Sequence, residues 1–129
     1  MPNRSILKLN KISKIIHENN KKKGFYVRKK NLPEILCLVH SEISEAVDAD
    51  RKGVWAKSRI SKTHKKIKNH NFSEIYKNEI KGCVEEEIAD TIIRLLDLCG
   101  YYKIDIEKHI TCKLVYNKTR PYLHGKKYG

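Results

Sequence analysis

Two pairs of acidic residues stand at i, i+3 spacing in this chain of 129 residues: Glu42 and Glu45 in "HSEISEAVDADRKG", and Glu87 and Asp90 in "EEEIAD". On a helix that spacing puts both carboxylates of a pair on one flank. At about 100° per residue, Ile35, Leu36, Val39, Ile43, Ala46 and Val47 form an apolar stripe with Glu42 at its edge. Glu45 follows one turn on, beside Leu38 and Ala49. A later helix repeats the plan: Ile80, Val84, Ile88, Ile92, Leu95 and Leu98 form the stripe, with Glu87 and Asp90 on the corresponding edge. Either pair alone is ordinary on a solvated helix face, where lysines screen it. "EEEIAD" is also what a helix dipole favours in a first turn. The repetition of one placement on two helices is what suggests chemistry.

Two such helices side by side bring four carboxylates together. Two carboxylates about 5 Å apart repel by roughly 3 kcal/mol at an effective dielectric near 20. Four cannot all stay ionised at a helix interface without a cation or a proton. Oxygen ligands without sulfur or imidazole suit Mg²⁺, with Mn²⁺ as the second choice. A di-iron bundle would need Glu-x-x-His on two helices, and the chain contains no Glu-x-x-His. Arg94 and Asp97 lie on the same flank. Arg94 either holds a carboxylate or meets a phosphate, and Asp97 either extends the metal shell or is salt-bridged.

The elements that must position these groups are helical. Ile6, Leu9, Ile12, Ile15 and Ile16 predict a first helix over about Ser5–Asn20, with Asn19, Asn20 and Gly24 as stop signals. A second runs from about Leu32 to Lys52, with Pro33 in its first turn and Gly53 beyond its end. A third starts near Ser73 or Gly82 and reaches Cys99. A fourth begins at the N-cap Asp105 and runs to about Lys118, before Pro121. No segment alternates as a strand does. The expected fold is all-α, a four-helix bundle in a single domain. A basic insertion, mobile or partly helical, occupies about 54–81, and a basic tail about 119–129.

Composition bounds the rest. The formal net charge of +13 fits attraction to nucleic acid, attraction to free polyphosphates, or a merely solvated lysine-rich surface. No apolar run approaches the roughly 18 residues of a membrane span. The N-terminal stretch "MPNRSILKLNKISKII" is too polar for a secretory signal, so a cytoplasmic protein is expected. Cys37, Cys83, Cys99 and Cys112 stand singly, without the paired spacing of a zinc site, and read as reduced core residues.

Three blocks in order, "LVHSEISEAVDADRKG", "EEEIADTIIRLLDLCGYYKIDIEKHI" and "YNKTRPYLHGKK", resemble the MazG-like nucleoside triphosphate pyrophosphohydrolases. The resemblance covers about 34–52 and 82–127. It implies the all-α NTP pyrophosphohydrolase fold, a homodimer or homotetramer, and Mg²⁺ held by Glu42, Glu45, Glu87 and Asp90. The implied activity is hydrolysis of a (d)NTP to the monophosphate and pyrophosphate, in house-cleaning or control of the nucleotide pool. Glu45, with Glu42, would serve catalysis, Glu45 as the base for the attacking water. Asn117 and Lys118 match the family's "NK" element and would meet the nucleotide. Arg94 and Arg120 are further candidate contacts. Trp55 either stacks on a base or covers the bundle end. The gap between Glu45 and Glu87 is longer than is usual in the family, so the 54–81 insertion bears on substrate choice and oligomer geometry. Two other readings stand beside the enzyme: a small basic nucleic-acid-binding module and a catalytically idle regulator on the same fold. An acidic cluster repels phosphate unless metal intervenes, which counts against the simple nucleic-acid binder.

Overall fold

The computed structural model describes residues 8–129. Ser5 and Ile6, where the first helix is expected to start, lie outside the described residues. Among the described residues there are six α-helices and no strand: α1 (Leu9–Lys22), α2 (Leu32–Arg51), α3 (Arg59–His64), α4 (Phe72–Glu79), α5 (Val84–Tyr101) and α6 (Ile106–Lys118). A 3₁₀ turn, Tyr122–Gly125, follows. The all-α expectation therefore holds, but the count of four does not. The insertion folds into α3 and α4, and the chain breaks at Ile80–Cys83, where Gly82 takes a φ of 88°, so α4 and α5 are not one helix. No helix among the described residues is long and apolar enough to cross a membrane.

The chain divides into two compact units: one holds residues up to Val27 with Leu96–Gly129, the other Arg28–Leu95. In the first unit, α1 is expected to bury its isoleucines, yet Ile12 and Ile15 are exposed and Ser13 is buried. Ser13 is polar but satisfied, because its hydroxyl donates to the Leu96 carbonyl. One turn along, His17 Nδ1 lies 2.9 Å from Asp97 Oδ1, and the Tyr26 hydroxyl donates to Asp97 Oδ2 at 2.7 Å. Asp97 is thus engaged by two partners inside this unit. Asp105 caps α6, accepting from the Lys108 N–H at 3.2 Å, and Asn10 of α1 donates to the same carboxylate at 2.9 Å.

The second unit begins at α2, whose cap Asn31 accepts from the Glu34 N–H at 2.9 Å. Its insertion carries a small core of its own, with Ala56, Ile80 and Cys83 buried and Tyr76 packed on them. The first residues of the insertion are fastened to the start of α5. The Val84 N–H donates to the Val54 carbonyl at 2.9 Å. The Glu85 carboxylate accepts from the N–H groups of Ala56 at 2.8 Å and Lys57 at 2.7 Å. Those two bonds to the charged form hold Glu85 well below the usual carboxylate range, at about 2. Cys83 is fully buried, and its sulfur accepts from the Glu86 N–H at 3.3 Å, capping α5. Cys99 is buried as expected of a core thiol, whereas Cys37 and Cys112 are exposed.

Gly100 shows how closely α1 approaches the end of α5. A Cβ there would lie 2.8 Å from the His17 Cβ and 2.9 Å from the Ser13 carbonyl oxygen. Alanine is favoured over glycine within a helix by about 1 kcal/mol. Here the neighbours are backbone and a ring-bearing Cβ that cannot swing away, and overpacking costs about 1–3 kcal/mol. Gly100→Ala is therefore expected to lower stability, as a reduced midpoint in urea unfolding; an unchanged or raised midpoint would show that the helices can separate without penalty.

Candidate functional site

Helix α2 buries only one side of the stripe that its apolar residues suggest. Its buried residues are Ile35, Val39, Glu42 and Ala49, so Glu42 lies on the buried line itself and not at the edge. Leu36, Ile43 and Val47 are instead 39–49 % exposed. Helix α5 behaves alike: Val84, Glu87 and Leu98 are buried, while Ile88, Ile92 and Leu95 are 40–51 % exposed. Both helices turn a glutamate inward and an apolar line outward. Asp90 is half-buried and Glu45 exposed.

One carboxylate oxygen from each of Glu42, Glu87 and Asp90 lies within 4.8 Å of the other two. Glu45 is beside them, its carboxyl within hydrogen-bonding reach of Glu42 and Glu87. At 4.8 Å, each ionised pair repels by roughly 3 kcal/mol at an effective dielectric near 20. The groups resolve that repulsion unequally. Burial, then the neighbouring Glu45 and Glu42, push Glu87 up to about 7. Burial and the charges of Glu42 and Glu86 also raise Asp90. Burial alone would raise Glu42, but the Arg94 guanidinium holds it below the ordinary carboxylate value. Arg94 Nε donates to Glu42 Oε1 at 2.8 Å. Of the two readings of Arg94, carboxylate holder or phosphate contact, this geometry carries the first.

Glu87 Oε2 is buried without a hydrogen-bond partner. A buried unpartnered carboxylate oxygen is costly, and a divalent cation beside it would remove the cost. Arg94 engages Oε1 of Glu42, and one carboxylate oxygen of Glu42 faces Glu87 and Asp90. The donor set is all oxygen, so Mg²⁺ or Mn²⁺ fits these residues. Glu42, Glu87 and Asp90 would hold it, and Glu45 is adjacent.

The remaining sequence candidates have other surroundings. Trp55, 40 % exposed, donates its indole N–H to Asp50 Oδ1 at 3.1 Å. Asn117, Lys118 and Arg120 belong to the first unit, at the end of α6. The Asn117 amide oxygen is buried without a partner, Lys118 is exposed, and the Arg120 guanidinium sits 5.5 Å from the Tyr116 ring centre. Asp97, engaged by His17 and Tyr26, belongs to that unit too. Sequence reasoning missed Tyr76 of α4. Its hydroxyl is within hydrogen-bonding reach of Glu86, and burial, that bond and the charge of Asp90 raise its pKa. A tyrosine in a lysine-rich insertion gives no signal that it will reach the start of α5. No protein-family model, curated protein or solved structure matches the chain.

The acidic cluster makes a pH prediction for the protein in EDTA. Glu87 titrates at about 7 against an ordinary value of 4.5. Between those values the folded state binds more proton than the unfolded state, so stability falls as pH rises. The urea midpoint in EDTA should decline from pH 4.5 to 7, and Glu87→Gln should flatten that decline. A wild-type midpoint that rises over the same range would contradict the assignment.

Proposed function

We propose that the chain is a Mg²⁺-dependent nucleoside triphosphate pyrophosphohydrolase, converting a (d)NTP to the (d)NMP and pyrophosphate. The observation that carries this reading is the convergence of Glu42, Glu87 and Asp90 oxygens within 4.8 Å. The ordered sequence blocks that resemble MazG-like enzymes support it. Bound Mg²⁺ would screen the phosphates from the carboxylates, acidify a water and stabilise charge on the displaced oxygen.

The side chains have distinct tasks in this scheme. Glu42, Glu87 and Asp90 bind the metal. Arg94 fixes the rotamer of Glu42 and prevents its neutralisation, leaving one oxygen directed to the cluster. Glu45, exposed and beside Glu42 and Glu87, accepts the proton of the attacking water. The water oxygen bonds to the α-phosphorus, the bond from that phosphorus to the α–β bridging oxygen breaks, and pyrophosphate leaves. Asn117 and Lys118 are the proposed nucleotide contacts. The unpartnered amide oxygen of Asn117 suits a donor on base or sugar, and the Lys118 ammonium suits phosphate.

The substrate-side test is pyrophosphate release from a panel of canonical and modified (d)NTPs, read as malachite-green phosphate after added inorganic pyrophosphatase. Wild type with Mg²⁺ or Mn²⁺ should turn over at least one nucleotide, and EDTA should abolish the signal. Glu42→Ala and Asp90→Ala should each lower kcat/KM by about 100-fold or more, equivalent to about 2.7 kcal/mol of transition-state stabilisation. No turnover across the whole panel would reject the proposal.

The same reading includes a second copy of the chain as partner. The outward lines Leu36, Ile43, Val47 and Ile88, Ile92, Leu95 are the kind of apolar surface that marks an interface. Ile43→Lys with Ile92→Lys should reduce the mass measured by light scattering to that of one chain. A wild type that is already monomeric at micromolar concentration would remove the partner from the proposal.

A further inference from the structure

From Arg51 to Ser73 the chain has no aspartate or glutamate and eight lysines and arginines. Two of these are occupied locally. Lys52 pairs with Asp48 at 2.9 Å. Arg59 donates to the carbonyls of Glu79 and Trp55, each at 3.0 Å, which ties α3 to α4. Lys62, Lys65, Lys66 and Lys68 are all exposed, and none meets a carboxylate among the described residues. Elsewhere lysines stand beside acids of their own helix, as Lys21 beside Glu18, Lys77 beside Glu74 and Lys108 beside Asp105. The chain has other acid-free stretches, 1–17, 19–33 and 108–129, but none carries as many lysines and arginines as this one.

The four ammonium groups are carried on ordered backbone. α3 passes into successive turns, with Lys66 N–H donating to the Thr63 carbonyl at 2.9 Å, Asn69 to Lys66 at 3.0 Å and Phe72 to Asn69 at 3.1 Å. At a rise of about 1.5 Å per residue, residues 62–68 span about 10 Å. That is close to the Debye length at physiological ionic strength, about 8 Å. The four charges therefore act as one positive patch and repel one another. A polyanion relieves that repulsion and gives up its condensed counterions on binding.

The chemistry of the patch selects among polyanions. Lysine presents a point charge and not the planar fork that reads guanine edges, so recognition is of backbone phosphate. No Phe, Tyr or Trp lies within residues 62–68, where the one ring is the His64 imidazole. The nearest Trp and Phe along the chain are engaged, Trp55 with Asp50 and Phe72 against Tyr76 at 6.0 Å. A single imidazole is not the row of rings on which the successive bases of a single strand stack. We propose that residues 62–68, the end of α3 and the turns that follow it, dock the phosphate backbone of duplex nucleic acid without regard to sequence.

The test is fluorescence anisotropy with a labelled DNA duplex of about 20 base pairs, in EDTA so that the carboxylate cluster plays no part. With four phosphate contacts, affinity should fall about 100-fold between 50 and 200 mM salt. The variant Lys62→Gln/Lys65→Gln/Lys66→Gln/Lys68→Gln should bind at least about 10-fold more weakly at 50 mM salt and lose most of that salt dependence. Replacing the same four lysines by arginine should preserve binding, which separates charge from any effect on folding. A control that removes equal charge from the first unit, Lys8→Gln/Lys11→Gln/Lys14→Gln/Lys22→Gln, should change affinity by less than about 3-fold. Equal losses in the two glutamine variants would overturn the proposal. So would tighter binding of the separated single strand, or binding of phosphatidylserine vesicles with none of the duplex.

Discussion

The structure turns on the inward placement of two glutamates on neighbouring helices. Glu42 and Glu87 each occupy a position on the buried line that a sequence built only for stability would give to leucine. A buried ionised carboxylate costs several kcal/mol unless it is paired. One of the two is paired, Glu42 with Arg94 at 2.8 Å. The other keeps its proton to about pH 7 and leaves an oxygen unpartnered. The exposure of the isoleucines that follow them, Ile43 and Ile88, comes from the same rotation, because a helix that turns an acid inward turns part of its apolar arc out.

That rotation explains what the sequence reveals and what it hides. The 3.6-residue period of α2 is plain, and so is the existence of both carboxylate pairs. The phase is not. The six apolar stripe residues of α2 are centred between Val39 and Ile43, whereas burial is centred near Ile35, about 60° away at 100° per residue. A sequence does not distinguish apolar side chains that enter a core from those that remain exposed in the single chain. The same ambiguity misplaces the face of α1, where Ser13 is buried and Ile15 is not. Serine reads as solvent-facing until a carbonyl, here that of Leu96, is placed against it.

The insertion was the least legible segment for a different reason. Its apolar residues are too sparse to predict a core, yet three of them, Ala56, Ile80 and Cys83, suffice when held by backbone hydrogen bonds to a neighbouring carboxylate. The contact between Tyr76 and Glu86 brings this apparently peripheral segment to the start of the helix that carries Glu87 and Asp90. The early glutamates of α5 therefore divide their work. Glu85 anchors the insertion, Glu86 meets Gly82 and Tyr76, and Glu87 joins the acidic cluster.

The hydrogen bond from the Val84 N–H to the Val54 carbonyl, 2.9 Å long, has a consequence for how such chains diverge. The chain leaves at Val54 and returns beside it at Val84, so the intervening residues form a closed excursion. The entropy of closing such a loop grows only slowly with its length. Residues can be gained or lost between the two valines while the carboxylates on either side keep their separation. Spacing along the chain is then a poor measure of relatedness for proteins of this kind, and the two acidic pairs are the better landmarks for alignment.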